Sequence, residues 1–597
     1  MKLYPASRRL CRSVFAIVCL CAMTRAAVAE IQTDFLMDSD PQYPASEPIK
    51  DFDPRLTELW LQALDRPEID MQRMAAETIA RAHIHGVPDL HAAVPRLEEI
   101  LLAKNSHPTA RFAAARALIV LDSRDSADKL FEASQAHGTD LRQLVEPALA
   151  EWGNTAAQAV WMERLSAPDT RPRELILAMR GLADVREQAA LPALLAIAGD
   201  PIRNAGLRLE AATAAGKIAE SGLEQEAERF AENIGSPLFV DQLCAVRLLA
   251  SHSSKEAQEQ LAKFATHDEP AISSAALKRL NEIDPALVLP FAFSAIKNAD
   301  PHVRRQGAIC LLGLPKADHI RPLSRLLADP NPELRREVRE GLYQWTENAD
   351  LSDRIRDAAL EVLAVDQWEG QEQAALLMGA LEHRPAADRL LELQESPRPG
   401  VRVAAAWALR KLAIPETIPA LIDQATRVAD QGGSDELSRV DEQLAHLFEA
   451  LGVLGAEPAT PVLSRYIPKR GGFVHRTRGA AIWALGRIYA GKGNPELEEA
   501  FVGRIMDFAP RPSEMLIVKE MSAVALGRMK AVDAADMMRQ FALSLNKEQR
   551  TDTERSVSTR RLHLALRWAV RELTGEELPS PRPLAVDAGN WFLEPLP

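Results

Sequence analysis

The chain has 597 residues, of which 47% are hydrophobic and only 5% aromatic, and its 84 acidic residues outnumber 71 basic ones to give a formal charge of -13. An apolar fraction carried by Ala and Leu favours close-packed helices over sheets, which draw on β-branched and aromatic side chains. So acidic a chain should repel nucleic acid and anionic lipid head groups, and nucleic-acid binding is therefore excluded as the expected function.

The amino terminus has the pattern of a signal peptide, residues 1–29. Lys2, Arg8, Arg9 and Arg12 precede the apolar run SVFAIVCLCAM, which is too short to span a bilayer permanently. Ala27, Val28 and Ala29 then supply a small-x-small cleavage site. The expected mature chain starts near Glu30 and is exported, to the periplasm or cell envelope or possibly to the exterior.

Residues 30–52 are rich in Asp and Pro and are predicted to form an extended lead-in. Beyond the signal peptide only two cysteines remain, Cys244 and Cys310. They lie about two repeats apart, farther than the roughly 7 Å between Cα atoms that a disulfide tolerates. Both are therefore predicted to be unpaired, small, buried residues.

A repeated phrase dominates the chain from residue 53 to residue 574. DPHVRRQGAICLLGL begins at Asp300, and related phrases begin at His107, Asn331 and Arg398. Asp300 suits a helix N-cap and Pro301 the first turn, and the apolar residues that follow recur on one helical face. A second amphipathic helix follows each phrase. Units of roughly 30 to 44 residues predict an all-α solenoid of about 14–15 helical hairpins, each of which buries its apolar stripe against its neighbours.

The D-P-x-V-R phrase resembles the HEAT repeat in its short form, the PBS-lyase HEAT-like repeat. Asp300 to Arg304 match it best, followed by Asn331 to Arg335 and Pro399 to Arg402. The resemblance covers nearly the whole mature chain and implies an α-solenoid (alpha-alpha superhelix). The chain also resembles exported bacterial HEAT-repeat proteins, whose role is generally unassigned. HEAT arrays serve many purposes, so the resemblance indicates the fold more than the function.

Two sets of side chains recur in register. Arg111, Arg304, Arg335, Arg402 and Arg478 are predicted to form a ladder with acidic residues of neighbouring turns; the alternative is a cationic stripe for an anionic partner. Trp407, Trp483 and Trp568 are predicted to pack between the two helical layers. The alternative is an indole row that binds a glycan or an extended peptide.

A basic cluster interrupts the acidic chain near residues 466–479. Lys469, Arg470, His475, Arg476 and Arg478 are the candidate partner-binding residues, with a solvated basic loop as the alternative. Residues 575–597 form either a Pro-rich tail or a cap on the last repeat. No catalytic, cofactor or metal site is predicted from any motif. Residues 486–492 fit G-x-x-x-x-G-K, but Gly493 replaces the Ser or Thr that would hold magnesium.

The sequence therefore predicts a non-enzymatic, exported scaffold for another protein in the cell envelope, of unknown oligomeric state. Two alternatives stay open. One is an enzyme of the HEAT-like bilin-lyase type, which would hold a tetrapyrrole in the solenoid. The other is a glycan-binding surface protein that uses the three tryptophans.

Overall fold

The computed structural model describes residues 31–43, 54–232, 238–431, 437–469, 474–509, 513–548, 553–581 and 594–596. Within these ranges the secondary structure is helical, with no strand. The chain divides into two compact units. Of the described residues, the N-terminal unit contains those from 54 to 310, residue 553 and residues 594–596, and the C-terminal unit contains residues 31–43, those from 311 to 548 and residues 554–581. The all-α solenoid predicted from the sequence is confirmed.

The first sixteen α-helices follow one another from residue 54 to residue 313. Their bounds are α1 Pro54–Leu64, α2 Ile69–Ile84, α3 Val94–Leu102, α4 Pro108–Val120, α5 Ala127–Ala136, α6 Thr139–Glu151, α7 Thr155–Ser166, α8 Pro172–Asp184, α9 Leu191–Gly199, α10 Ala205–Ile218, α11 Glu224–Ala231, α12 Leu238–Leu248, α13 Lys255–Phe264, α14 Pro270–Ile283, α15 Leu289–Ala295 and α16 Pro301–Gly313.

The C-terminal unit continues the alternation of helices. Its helices are α17 Ala317–Arg325, α18 Pro332–Trp345, α19 Ala349–Ala364, α20 Trp368–Ala380, α21 Ala387–Glu392, α22 Pro399–Leu412, α23 Ile418–Gln431, α24 Leu437–Val453, α25 Thr460–Ser464, α26 His475–Ile488, α27 Pro495–Ile505, α28 Leu516–Met529, α29 Ala535–Glu548 and α30 Thr553–Thr574.

Short polar residues and proline begin many of these helices. The side chain of Asn331 accepts hydrogen bonds from the backbone N–H of Leu334, and Pro332 occupies the first turn of α18. Asp300 likewise accepts from the N–H groups of His302 and Val303. Each cap satisfies amide donors that have no partner within the helix. The prediction that Asp300 is the N-cap of its helix is confirmed.

Within each unit, every second helix packs beside the next to make one layer. In the C-terminal unit this layer consists of the even-numbered helices α18 to α30. Glycines allow the close approach: a Cβ on Gly452 of α24 would lie 2.7 Å from the Cα of Ala484 on α26. A Cβ on Gly486 would lie 2.6 Å from the Cα of Ala525 on α28. The small residues of the repeated phrase thus set the spacing of the layer.

The in-register arginines bind the end of the preceding helix or the loop that follows it. In α18 the guanidinium of Arg335 donates to the carbonyls of Asp329 and Pro330, which follow the preceding helical turn. The other carbonyl acceptors are those of Leu101 and Ala103 for Arg111, Asn298 and Ala299 for Arg304, Ser396 for Arg402, and Tyr466 and Ile467 for Arg478. Carbonyls at helix ends lack partners within their own helix, so a cation donating to them stabilises the turn. The predicted acidic ladder is only part of this arrangement, as Glu514 at Arg478 illustrates.

Cys244 and Cys310 are both buried and unpaired, as predicted. Burial raises the pKa of the Cys310 thiol to about 11, which keeps it protonated and unreactive at neutral pH. None of the helices in the described part of the chain is both long and apolar enough to cross a bilayer.

The carboxyl-terminal residues contact two different helices. Leu578 is buried, and its carbonyl accepts a hydrogen bond from Arg567 of α30 in the C-terminal unit. Glu594 belongs to the N-terminal unit, where its carbonyl accepts from Arg81 of α2 and its carboxylate lies 2.9 Å from His85. Residues 582–593 of the predicted tail or cap lie outside the described residues.

Candidate peptide-binding site

Residues 31–43, here called the N-terminal segment, lie along one face of the even-numbered layer of the C-terminal unit. The segment contains a single 3-10 turn, Leu36–Asp38, followed by a turn at Ser39 and bends at Asp40 and Pro41, and no other helix or strand. Its backbone makes only short-range bonds with itself, such as Ser39 N–H to the carbonyl of Leu36. The remaining contacts join it to helices that lie roughly 300 to 520 residues later in the chain. A chain with so little internal structure is positioned by the surface beneath it.

Twelve residues of α18, α22, α24, α26, α28 and α30 contact the segment, and we call them the segment-binding face. They are Arg339, Trp407, Arg410, His446, Glu449, Arg476, Gly479, Trp483, Arg487, Glu520, Arg528 and Arg561. Six are arginines and two are glutamates, so the face carries a net positive charge within an acidic chain. Such a surface favours an acidic ligand.

The first carboxylate of the segment, that of Asp34, is bound by two side chains of α22. The indole N–H of Trp407 donates to Oδ1 of Asp34 over 3.0 Å, and the guanidinium of Arg410 donates to the same oxygen over 2.8 Å. Burial by itself would raise the pKa of Asp34, but these two donors outweigh burial and lower it. The Arg410 side chain is buried and also donates to Glu449 over 2.7 Å. Asp34 is therefore held as a carboxylate.

The middle of the segment is bound by stacking and by one buried side chain. The Phe35 ring stacks on His446, with centroids 4.4 Å apart and planes 6° apart. The Arg476 guanidinium lies 4.5 Å from the centroid of the Phe35 ring. Burial lowers the pKa of His446, so the imidazole under Phe35 is neutral at pH 7.

Met37 is the main apolar anchor. Its side chain is only 1% exposed, and its backbone N–H donates to Glu449 over 2.9 Å. The sulfur lies 3.3 Å from the point where a Cβ at Gly479 would lie, so the missing side chain at Gly479 makes room for it. Burying one Met side chain stabilises the bound segment by about 1.5–3 kcal/mol.

The last part of the segment is bound through two further carboxylates and the main chain. Asp40 pairs with Arg528 over 2.7 Å and with Arg487 over 3.0 Å, and the indole N–H of Trp483 donates to its carbonyl over 2.9 Å. Asp38 lies 3.5 Å from a nitrogen of Arg476.

The segment's contacts extend to the last two helices of the layer. Arg561 of α30 donates to the carbonyl of Asp38. The hydroxyl of Tyr43 donates to Glu520 of α28 over 3.5 Å. Burial raises the pKa of Glu520, although Arg561 and Tyr43 partly oppose this effect.

Taken together, the face recognises acidic side chains and main-chain carbonyls of an extended polypeptide. Carbonyls of Ile31, Asp38 and Asp40 accept from the face, and the N–H of Met37 donates to it. In the described part of the chain no three His, Cys, Asp or Glu residues are grouped to hold a metal ion.

The structure separates the candidate partner-binding residues of the basic cluster. Lys469 pairs with Asp507 over 2.9 Å. Arg478 is buried and makes two hydrogen bonds to Glu514. His475 begins α26 and is half-buried, and Arg470 lies outside the described residues. Arg476 alone among the described members contacts the N-terminal segment. Partner binding by the cluster as a whole stays a prediction.

The three tryptophans pack against neighbouring helices of their own layer. The ring of Trp407 lies against Gly379 of α20, that of Trp483 against Gly452 of α24, and that of Trp568 against Gly527 of α28. Each indole therefore fills space between neighbouring helices of one layer, and the predicted packing between the two layers stays a prediction. Trp407 and Trp483 are buried, which removes the stacking surface that the glycan-binding alternative requires. Their N–H groups donate to the N-terminal segment, and binding of a separate extended peptide stays a prediction.

Most residues of the face were not identified from the sequence. Arg410, Arg487 and Arg528 end the phrases WALR, WALGR and VALGR in the last turns of α22, α26 and α28. An arginine in the last turn of each of these helices, considered together with the acidic residues Asp34, Asp38 and Asp40, was the available signal. These residues form a binding site only when the fold brings distant parts of the chain together.

Comparisons with known proteins agree with this architecture. Residues 401–424, which cover most of α22 and the start of α23, match the family model described as PBS lyase HEAT-like repeat. The search of curated proteins found no match.

Similarity among solved structures extends over most of the chain. A structure of Kap95p with RanGDP has a TM-score of 0.51 at 13% identity, covering 87% of this chain and 72% of its own. A structure of importin-β gives 0.49 at 14% identity, covering 86% and 73%. Yeast importin-β (Kap95p) gives 0.47 at 13% identity, covering 87% and 72%. At such identities the first match supports the fold alone. With the repeat match and the helical layers, the chain is an α-solenoid that carries a PBS lyase HEAT-like repeat at residues 401–424.

Proposed function

We propose that this protein is a non-enzymatic, exported scaffold that binds an extended segment of another protein on the segment-binding face. The observation that carries the proposal is the N-terminal segment itself. Thirteen residues of largely irregular chain are held by carboxylate pairs, main-chain hydrogen bonds and one apolar pocket. A face able to bind one such polypeptide has the properties needed to bind another.

The experiment compares full-length chains that differ in this face. A first variant, Asp34→Asn/Met37→Ser/Asp40→Asn, weakens the hold on the N-terminal segment and is called the open chain. A second adds Arg476→Ser, Arg487→Ser and Arg561→Ser, three partly exposed arginines of the face. The matched control instead adds Arg427→Ser, Arg465→Ser and Arg539→Ser, which carry the same charge change on or after odd-numbered helices.

Each chain is incubated with envelope extract, cross-linked and analysed by mass spectrometry. The proposal predicts a protein captured by the open chain and by the control but lost from the face variant, with cross-links that map to α22, α24 and α26. Equal capture by all three chains would place binding elsewhere on the solenoid. Absence of any captured protein would reject the proposed function for this face.

Export is the part of the proposal that rests on the sequence alone. The positively charged start, the short apolar run and the Ala27-Val28-Ala29 site support it. Expression of the full chain in a bacterial host followed by osmotic shock tests it. A released protein whose first residue is Glu30 is expected; a cytoplasmic protein that retains its first 29 residues would contradict export.

A further inference from the structure

We propose that the N-terminal segment is an intramolecular competitor, and that the ligand it keeps out is an acidic, extended segment of a partner protein. This inference rests on the proposed function and adds the chemistry of the partner and the means by which access is controlled. The partner segment would present carboxylates at the spacing of Asp34, Asp38 and Asp40 and an apolar side chain at the position of Met37.

The segment is bound in the manner of a ligand. Only Ile31 and Met37 have buried side chains, and the Asp34 side chain remains 59% exposed despite its two donors. The helices beneath are packed through their own glycines and alanines, as at Gly452 and Ala484. Release of the segment would therefore leave the layer intact.

Release of the segment would remove the acceptors of several donors on the face. The indole N–H of Trp483 donates to the main-chain carbonyl of Asp40. The Arg528 guanidinium pairs with the carboxylate of Asp40. Donors that lose such acceptors must be hydrated or bound by another chain, so the face favours a replacement segment that supplies a carbonyl and a carboxylate.

Much of the recognition would transfer to a different sequence. The contacts of Trp483 and Arg561 are to carbonyls that every residue carries. A ligand must supply three sequence-specific groups. One carboxylate binds Arg410 and Trp407, and a second binds Arg528 and Arg487. The third group is a side chain that fits beside Gly479. Six arginines on the face select against basic and neutral segments.

Covalent attachment gives the N-terminal segment an advantage over a free ligand. A tethered segment experiences an effective concentration on the order of millimolar. A partner segment of equal intrinsic affinity must overcome this local concentration, so the uncut wild-type chain should bind a free peptide weakly. Substitutions that weaken the tethered segment should then increase the affinity for a free one.

The test uses two labelled peptides and two full-length proteins. Peptide one has the sequence of residues 30–43, EIQTDFLMDSDPQY; peptide two carries Asn at the three Asp positions. The proteins are the wild-type chain and the open chain, Asp34→Asn/Met37→Ser/Asp40→Asn, and binding is followed by fluorescence anisotropy. We expect peptide one to bind the open chain at least about tenfold more tightly than the wild type, and at least about tenfold more tightly than peptide two.

The outcomes separate the claims. Equal affinity of peptide one for the two proteins would overturn competition by the N-terminal segment but leave the face as a binding site. Equal affinity of both peptides for the open chain would overturn the requirement for acidic residues. Failure of the open chain to bind either peptide, although its helical circular dichroism matches the wild type, would reject both this inference and the proposed function.

A second measurement covers the case in which the open chain does not fold. Excess peptide one is added to the wild-type chain, and hydrogen exchange of residues 31–43 is followed by mass spectrometry. Competition predicts faster exchange throughout these residues in the presence of peptide one and no change with peptide two. Unchanged exchange with saturating peptide one would contradict the inference.

Discussion

Two arginines on α26 show how position in the helix decides the role of a residue. Arg478 is buried, donates to the carbonyls of Tyr466 and Ile467, and pairs with Glu514. Arg476 lies two residues earlier, so it points to a different side of the helix, where it contacts Phe35. The first arginine stabilises the junction between repeats, and the second contributes to the binding face.

The two arginines should therefore respond differently to truncation. Arg478→Ala removes one of the two arginines paired with Glu514 and leaves the carbonyls of Tyr466 and Ile467 without this donor. It should lower the free energy of unfolding by about 3–5 kcal/mol. Arg476→Ala removes partly exposed contacts and should cost under about 1 kcal/mol. Urea denaturation followed by circular dichroism measures both values. Similar losses for the two variants would contradict the separation of roles.

His563 on α30 predicts a pH-dependent stability. It is buried, and burial together with Arg567 and Arg560 lowers its pKa from 6.5 to about 4. The unfolded chain binds this proton more readily than the folded chain does. The contribution of the neutral imidazole is therefore complete above pH 6.5 and is lost as the pH falls towards 4.

The variant His563→Gln removes this titration. Melting temperatures measured between pH 6.5 and 4 should fall less steeply for the variant than for the wild type. Parallel curves across this window would show that the proton on His563 does not contribute to the acid sensitivity of the fold.

At the scale of helices, glycines in the even-numbered layer set the distance between neighbours. A Cβ at Gly452 would lie 2.8 Å from the Cβ of Ala484 and 3.0 Å from the ring of Trp483. Gly503 of α27 is also helical, but nothing lies within 4 Å of its added Cβ. A Gly→Ala substitution at these two positions therefore separates two effects: steric contact with the neighbouring helix at Gly452, and helix propensity alone at Gly503.

Gly452→Ala should destabilise the C-terminal unit by about 1–3 kcal/mol, because the neighbouring helix must move. Gly503→Ala should stabilise it by about 0.5–1 kcal/mol, the gain in helix propensity where no contact is strained. Thermal unfolding of both variants beside the wild type gives the comparison. A stabilising effect at Gly452 would show that α24 and α26 are not in close contact.

Local sequence patterns predict where the helices lie, but they do not predict which helices pack against each other. The Asp300-Pro301 start and the apolar spacing behind it predicted α16, because caps and periodicity are read within one turn or two. The same spacing showed that Trp407 and Trp483 face other helices without showing which ones. Periodicity identifies an apolar face, whereas the choice between a neighbour in the same layer and one in the other layer depends on how the hairpins stack.

At the scale of the whole molecule, the N-terminal segment illustrates what a single sequence does not reveal. Asp34 contacts Arg410 across 376 positions, and Arg561 contacts Asp38 across 523. No nearby sequence feature predicts either contact, because an Asp-rich stretch considered by itself indicates only an extended lead-in. The regular recurrence of Arg in the last turns of α22, α26 and α28 becomes meaningful only when the layer is assembled.

The position of Met37 beside Gly479 tests the central claim, that the N-terminal segment lies on the even-numbered layer, most directly. In the full chain carrying Met37→Cys and Gly479→Cys, a short bis-maleimide reagent can join the two thiols, because the Met37 sulfur lies 3.3 Å from the Cβ position of residue 479. The native Cys244 and Cys310 are buried and unpaired. A control chain pairs Met37→Cys with Gly503→Cys, an open position on α27. We predict a reagent cross-link between positions 37 and 479, seen as a cross-linked peptide by mass spectrometry, and none in the control. Absence of this cross-link, or equal cross-linking at position 503, would contradict the binding of the segment on this face.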